Sequence, residues 1–148
     1  MESYSKTIVA RVSTETAYKA ITEEMSDWWT PMSGKFLKIG DLAQTDFGGK
    51  SYWKFEAQTL NAPNLLELRC CAANHIHEGL SLDIKEEWLG SVLQFKIQDK
   101  NEKLNITLTH QGLTPDLTCY EVCEQGWDQY CLDSLLKFLN EKEQCYGH

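Results

Sequence analysis

The sequence predicts an α+β chain in which a curved antiparallel sheet closes on one long C-terminal helix. Three observations carry this. Hydrophobic periodicity runs strand, one or two short helices, about six further strands, then a long helix. The last third meanders through Ile84–Gly90, Val92–Gln98 and Lys103–His110 before one amphipathic stretch opens near Cys119. No strand–helix alternation of the parallel-sheet kind interrupts this order, so the helices belong on one face of an antiparallel sheet of about seven strands. At 148 residues, residues 1–148 are expected to form a single domain with a core large enough to stand without staples.

Tyr4–Val12 reads as the first strand. Ser13 or Thr14 can cap a helix running to about Glu24, with Ala17, Tyr18, Ile21 and Met25 on one face. Ser26 or Asp27 can cap a short helical turn that Pro31 stops, which puts Trp28 and Trp29 together at an element end. The period then becomes two. Phe36–Ile39, Ala43–Phe47, Ser51–Thr59, Leu65–Ala73, Leu82–Leu89, Val92–Gln98 and Lys103–His110 are strand candidates. Turn signals at Gly40-Asp41, Gly48-Gly49, Pro63-Asn64, Gly90-Ser91 and Lys100-Asn101 separate most of them. Alternation puts Trp53, Phe55 and Ala57 on one face, as it does Ile84, Glu86 and Trp88, then Leu93, Phe95 and Ile97, and finally Leu104, Ile106, Leu108 and His110.

Thr114-Pro115 ends the last strand, and Thr118-x-x-Glu121 matches a capping box. The helix that follows should reach about Glu143, roughly 25 residues or about 37 Å. Tyr120, Cys123, Trp127, Tyr130, Cys131, Ser134, Leu135 and Phe138 form its apolar stripe.

Composition excludes some functions. Lys+Arg total 14 against 22 Asp+Glu, a net charge of −8, so no nucleic-acid partner is expected. No run approaches the ~18 apolar residues of a membrane span, and no membrane partner is expected. The start MESYSKTIVA lacks the pattern of a signal peptide, so the expected compartment is the cytoplasm. There the six cysteines stay reduced and act as small hydrophobes. The phosphate-loop glycine patterns and the G-x-S-x-G elbow are absent, and no cofactor is expected. His75-x-His77 and Cys119-x3-Cys123 hold metal-ligating types, but joining the two pairs requires a tertiary approach the sequence does not supply. No metal site is predicted.

What remains is a pocket. Five tryptophans are more than a core of this size needs, and they suggest a cavity wall for a flat apolar ligand. His110 and Glu86 are the polar exceptions on apolar strand faces. They are the candidate hydrogen-bonding or acid/base pair. The predicted ligand-binding set is Trp28, Trp53, Phe55, Glu86, Trp88, Phe95, His110, Trp127 and Tyr130. It describes a binder of a small hydrophobic or aromatic molecule held in a cavity between the sheet and the C-terminal helix. The alternative is a cyclase- or hydrolase-type enzyme with His110 as base and Glu86 as its partner or the acid.

Ser26-Asp27-Trp28-Trp29-Thr30, Lys85-Glu86-Glu87-Trp88-Leu89-Gly90, Leu108-Thr109-His110-Gln111-Gly112-Leu113, Cys119-Tyr120-x-x-Cys123 and Gly126-Trp127 resemble motifs of the SRPBCC superfamily. Within it, the chain is most similar to the group homologous to activators of the heat-shock protein 90 ATPase. The order of elements matches over nearly the whole chain. The resemblance implies a helix-grip, START-like fold, with a seven-stranded sheet wrapped around the C-terminal helix. Members of the superfamily include lipid carriers, hormone receptors, aromatase/cyclases and chaperone activators. A heat-shock chaperone is therefore a further candidate partner, and a homodimer a candidate assembly.

Overall fold

The computed structural model describes residues 2–46, 51–75, 84, 86–100 and 103–146, with the side chains of 130–132 and 143–146 left out. β1 (Tyr4–Ala10) leads into α1 (Thr14–Thr22) and a single turn, α2 (Met25–Trp28). β2 (Leu42–Asp46), β3 (Tyr52–Asn61), β4 (Leu65–Asn74), β5 (Val92–Lys100) and β6 (Lys103–Gln111) follow. The chain ends in α3 (Tyr120–Trp127), which runs through a π-helical stretch (Asp128–Leu135) into α4 (Leu136–Tyr146). No helix among the described residues is long and apolar enough to cross a membrane.

The strands form one antiparallel six-stranded sheet in the order β1-β6-β5-β4-β3-β2. The first strand closes on the last, with Tyr4 opposite His110 and Ile8 opposite Ile106. In β3, β5 and β6 the predicted faces are the observed ones. Trp53, Phe55 and Ala57 of β3, Leu93, Phe95 and Ile97 of β5, and Leu104, Ile106, Leu108 and His110 of β6 are all buried. Hydroxyls occupy the opposite face, where Ser5 meets Thr109 at 3.0 Å and Thr7 meets Thr107 at 2.8 Å. Each large apolar side chain buried in this way contributes about 1.5–3 kcal/mol, so a one-residue slip in register would expose a whole face.

Ser13 caps α1 as expected, its Oγ accepting the amide of Thr16 at 3.1 Å. α1 buries Ala17, Ala20 and Ile21 and lies against β5. α2 has no side-chain cap of the kind expected from Ser26 or Asp27, because Ser26 Oγ instead accepts the amide of Met32 at 2.9 Å.

Among the described residues, two predicted strands do not form. In Phe36–Ile39, Asp41 Oδ2 accepts the amides of Leu37 and Lys38, both at 2.9 Å, which removes the donors a ladder needs. The sheet is six-stranded, not seven, for a second reason. Leu82, Asp83 and Lys85 of the candidate Leu82–Leu89 lie outside the described residues. The rest is tight turn, with Glu87 N–H donating to Ile84 O at 3.1 Å and Leu89 N–H to Glu86 O at 3.0 Å. Ile84 and Trp88 are buried and Glu86 is exposed. Residues four apart share a side both in a strand and in a helical turn, whereas the residue midway between them changes sides. Gly90 (φ 84°) then reverses the chain in a conformation that suits glycine, and its amide returns to Cys70 O at 2.8 Å.

Candidate functional site

Rings from separate segments converge where the sheet meets α3. β3 supplies Trp53 and Phe55, the turn before β5 supplies Trp88, β6 supplies His110, the residue after α2 supplies Trp29, and α3 supplies Trp127. Ring centroids are 4.6 Å apart for Trp53–Trp88, 5.8 Å for Trp88–Trp127, 4.9 Å for Trp29–Trp127 and 6.0 Å for Trp29–Phe55. Trp28 stacks on Trp29 at 6.2 Å. Its indole N–H donates to Ala20 O at 2.8 Å, which satisfies a donor that burial would otherwise leave costly.

His110 is fully buried at the centre of this cluster. Trp127 Nε1–H donates to His110 Nδ1 at 3.0 Å. An indole nitrogen can only donate, so Nδ1 is the acceptor and Nε2 carries the ring proton. Nε2 therefore donates to Ser91 Oγ at 2.8 Å, and Ser91 Oγ donates to Trp88 O at 2.5 Å. The Trp88 and His110 rings meet nearly perpendicular, at 81°, with centroids 4.4 Å apart. Burial pushes the His110 pKa from 6.5 down to about 3. The ring is neutral, and both nitrogens are engaged.

The expected pairing of His110 with Glu86 does not form. Glu86 is exposed, turned out by the helical spacing of its turn. His110 Nδ1, the lone pair a general base would use, is occupied by Trp127. The structure therefore does not bring this pair together for acid–base work. Trp53, Phe55, Trp88 and Trp127 do come together as predicted. Phe95 is buried on the same sheet face. Trp28 lies further along, beside a surface cleft. The side chain of Tyr130 is outside the described set.

That cleft, of about 370 Å³, lies between α2 and α4 and is lined by Asp27, Trp28, Trp29, Ser134, Lys137, Phe138 and Glu141. Its aromatic wall continues inward, because Trp29 packs on Trp127.

On the far side of Trp88 the surroundings change from aromatic to sulfur. The Trp88 indole N–H donates to Cys123 Sγ at 3.2 Å. Cys119 lies one helical turn earlier, and His75 directly follows β4. One ligating atom from each of His75, Cys119 and Cys123 lies within 4.8 Å of the others, and all three residues are buried. The approach that the sequence could not supply is thus present for His75, while His77 lies outside the described residues. The Cys119 thiol pKa is raised, chiefly by its hydrogen bond with Cys123 and then by burial. That of Cys123 is lowered, chiefly by the same bond.

Glu87 is the main polar residue that sequence reasoning missed. The capping box does not form. The N-cap is Cys119, with no side-chain cap of its own. Glu87 reaches across instead, accepting Thr118 N–H at 3.1 Å and Cys119 N–H at 2.9 Å. A carboxylate there satisfies orphan amides and complements the helix dipole. Ser91 was missed too, since only its small side chain, placed just after Gly90, hinted at a tight approach. At the other end of α3, Asp128 Oδ1 accepts the Tyr4 hydroxyl at 2.9 Å. Trp127 and Asp128 thus tie the start of the π-helical stretch to β6 and β1.

No family model matches the chain, and no curated protein does. Solved structures do. The Aha1 dimer from Colwellia psychrerythraea is 22% identical with a TM-score of 0.76, covering 95% of this chain and 97% of that one. PFC0360w, an HSP90 activator from Plasmodium falciparum, is 18% identical with a TM-score of 0.64, over 99% and 97%. DynU16, a putative protein in the dynemicin biosynthetic locus, is 12% identical with a TM-score of 0.72, over 94% of this chain but 47% of that one. Identities this low speak to architecture, and the architecture agrees over nearly the full length. The chain shares the helix-grip fold of these structures.

Proposed function

We propose that the protein binds a small hydrophobic or aromatic molecule where α2 and the C-terminal helix meet, against the outer end of the aromatic cluster. The observation that carries this reading is the cleft of about 370 Å³ ending on the stacked Trp28 and Trp29. Its size suits small-molecule sites, which span roughly 300–1,000 Å³. Trp28, Trp29 and Phe138 line the cleft, and Ser134 and Lys137 offer polar contacts that would orient a ligand. The inner rings, Trp53, Phe55, Trp88 and Trp127, back this wall, and His110 fixes Trp127 in place. Its role here is structural support rather than ligand contact.

The test is displacement of an environment-sensitive dye, followed by native mass spectrometry with a panel of aromatic and acyl compounds. Saturable binding that weakens at least about tenfold in Trp29→Ala is expected, the scale of one lost buried aromatic contact. Absence of any saturable ligand at millimolar concentration would end the proposal.

A second reading, a protein-contact module, draws on a different surface. Leu37 and Ile39 are 61% and 63% exposed, on a turn that the Asp41 carboxylate fixes. Exposed apolar pairs on a fixed turn suit a protein partner. Two structures similar to this chain are described as a dimer and as a chaperone activator. Sedimentation of the protein, and the ATPase rate of a heat-shock chaperone with and without it, test this reading. Both measurements should respond to a Leu37→Asp/Ile39→Asp variant, and a variant indistinguishable from the parent in both removes the reading.

A further inference from the structure

We propose that His75, Cys119 and Cys123 form a metal site that takes Zn²⁺ through one imidazole nitrogen and two thiolates. The proposal rests on the convergence of three ligating side chains from separate parts of the sequence. The end of β4 brings His75, and the first turn of α3 brings both cysteines on one face. Their ligating atoms lie within 4.8 Å of one another. Tetrahedral zinc, with bonds of about 2.3 Å to sulfur and about 2.0–2.1 Å to nitrogen, holds such donors roughly 3.4–3.8 Å apart. Closing the site therefore takes a contraction of about 1 Å, within the reach of side-chain rotation.

The surroundings resemble the outer shell of a metal centre. The Trp88 indole donates to Cys123 Sγ, as a donor to a thiolate would. The Trp53 ring packs on the His75 imidazole at 5.0 Å. Glu87 holds the amide of Cys119, fixing the backbone that presents its sulfur. Charge also favours zinc. Binding replaces two S–H bonds by two metal–sulfur bonds, with both protons released to solvent. One Zn²⁺ and two thiolates sum to zero, the net charge that a buried setting tolerates best. A monovalent soft cation with the same ligands would leave a buried negative charge. Three protein donors leave a fourth position for water or a bound molecule.

The experiment uses the full chain, reduced and stripped of metal, titrated with Co²⁺ as a spectroscopic substitute for Zn²⁺. The expected result is one equivalent bound, with sulfur-to-metal charge transfer and the intense visible bands of a tetrahedral thiolate site. Zn²⁺ should abolish these bands by displacing the cobalt. Cys123→Ser and His75→Gln should each lose the spectrum while keeping the parent circular dichroism, and Cys71→Ser should keep it in full. Trp88→Phe, which removes the N–H donor to sulfur along with part of a packed ring, should weaken binding about 10- to 100-fold. Three results would overturn the proposal: a folded parent with no tetrahedral spectrum, a spectrum that survives both Cys123→Ser and His75→Gln, and a spectrum lost in Cys71→Ser.

Discussion

His110 and His75 are both buried beside tryptophan rings, and Trp88 touches the surroundings of each. In the first, donors and acceptors match one for one. Trp127 donates a hydrogen bond to His110, His110 donates one to Ser91, and Ser91 donates one to the Trp88 carbonyl. In the second, imidazole and two sulfurs gather with ligating atoms facing one another. A matched chain of hydrogen bonds makes a rigid strut, because every group has spent its capacity. A cluster of one imidazole and two thiols instead gathers the donor types that the proposed metal would bridge. Residue type alone does not separate a structural histidine from a ligating one; the balance of donors and acceptors around it does.

The sharpest way to break this contrast is to remove each histidine in turn. His110→Ala leaves a cavity and strands the Trp127 and Ser91 polar groups, so a loss of about 3–5 kcal/mol is expected in urea denaturation. His75→Ala in metal-free protein should lose clearly less. Equal losses would make both histidines structural. Zinc sharpens the contrast next. At about 100 times its dissociation constant it should stabilise the parent by about 2.7 kcal/mol, with no gain in His75→Gln and a full gain in His110→Gln.

Acidity then tests His110. Its folded pKa, about 3, lies below the ordinary 6.5, so the unfolded chain takes up the proton first. The contribution is complete above pH 6.5. As pH falls below that value stability is lost at up to about 1.4 kcal/mol per unit, and the loss stops growing near pH 3. His110→Gln should remove this component from the stability–pH curve of metal-free protein between pH 6 and 4. An unchanged curve would mean that the imidazole is not held neutral. Glu87→Gln comes next, with a loss of about 1 kcal/mol from the cap of α3, whereas Glu121→Gln, in the unformed capping box, should cost less by the same thermal measurement. Glu86→Gln should do least, leaving stability and cobalt binding unchanged within error. A clear effect of that substitution would revive an inward Glu86.

Much of the fold was legible because period-two alternation and amphipathic stripes are properties of neighbours along the chain. Trp53, Phe55, Leu93, Phe95, Leu104 and His110 face inward as alternation requires. Ile84–Gly90 misled because Ile84 and Trp88, four apart, satisfy a strand and a helical turn equally, and only Glu86 distinguishes the two. Phe36–Ile39 misled because Asp41, a neighbour in the turn, takes the amides that a sheet partner would have taken.

The sequence by itself determined which residues of β3, β5 and β6 go inside and roughly where the long helix begins. The tertiary structure alone decided how they pair. Trp127 meets His110 across 17 residues, Glu87 meets Cys119 across 32, and Trp88 meets Cys123 across 35. Burial follows from local pattern because it needs only a face. A hydrogen bond or a metal site needs atoms brought within a few ångströms in a set direction, and only the closed sheet and its gripped helix impose that.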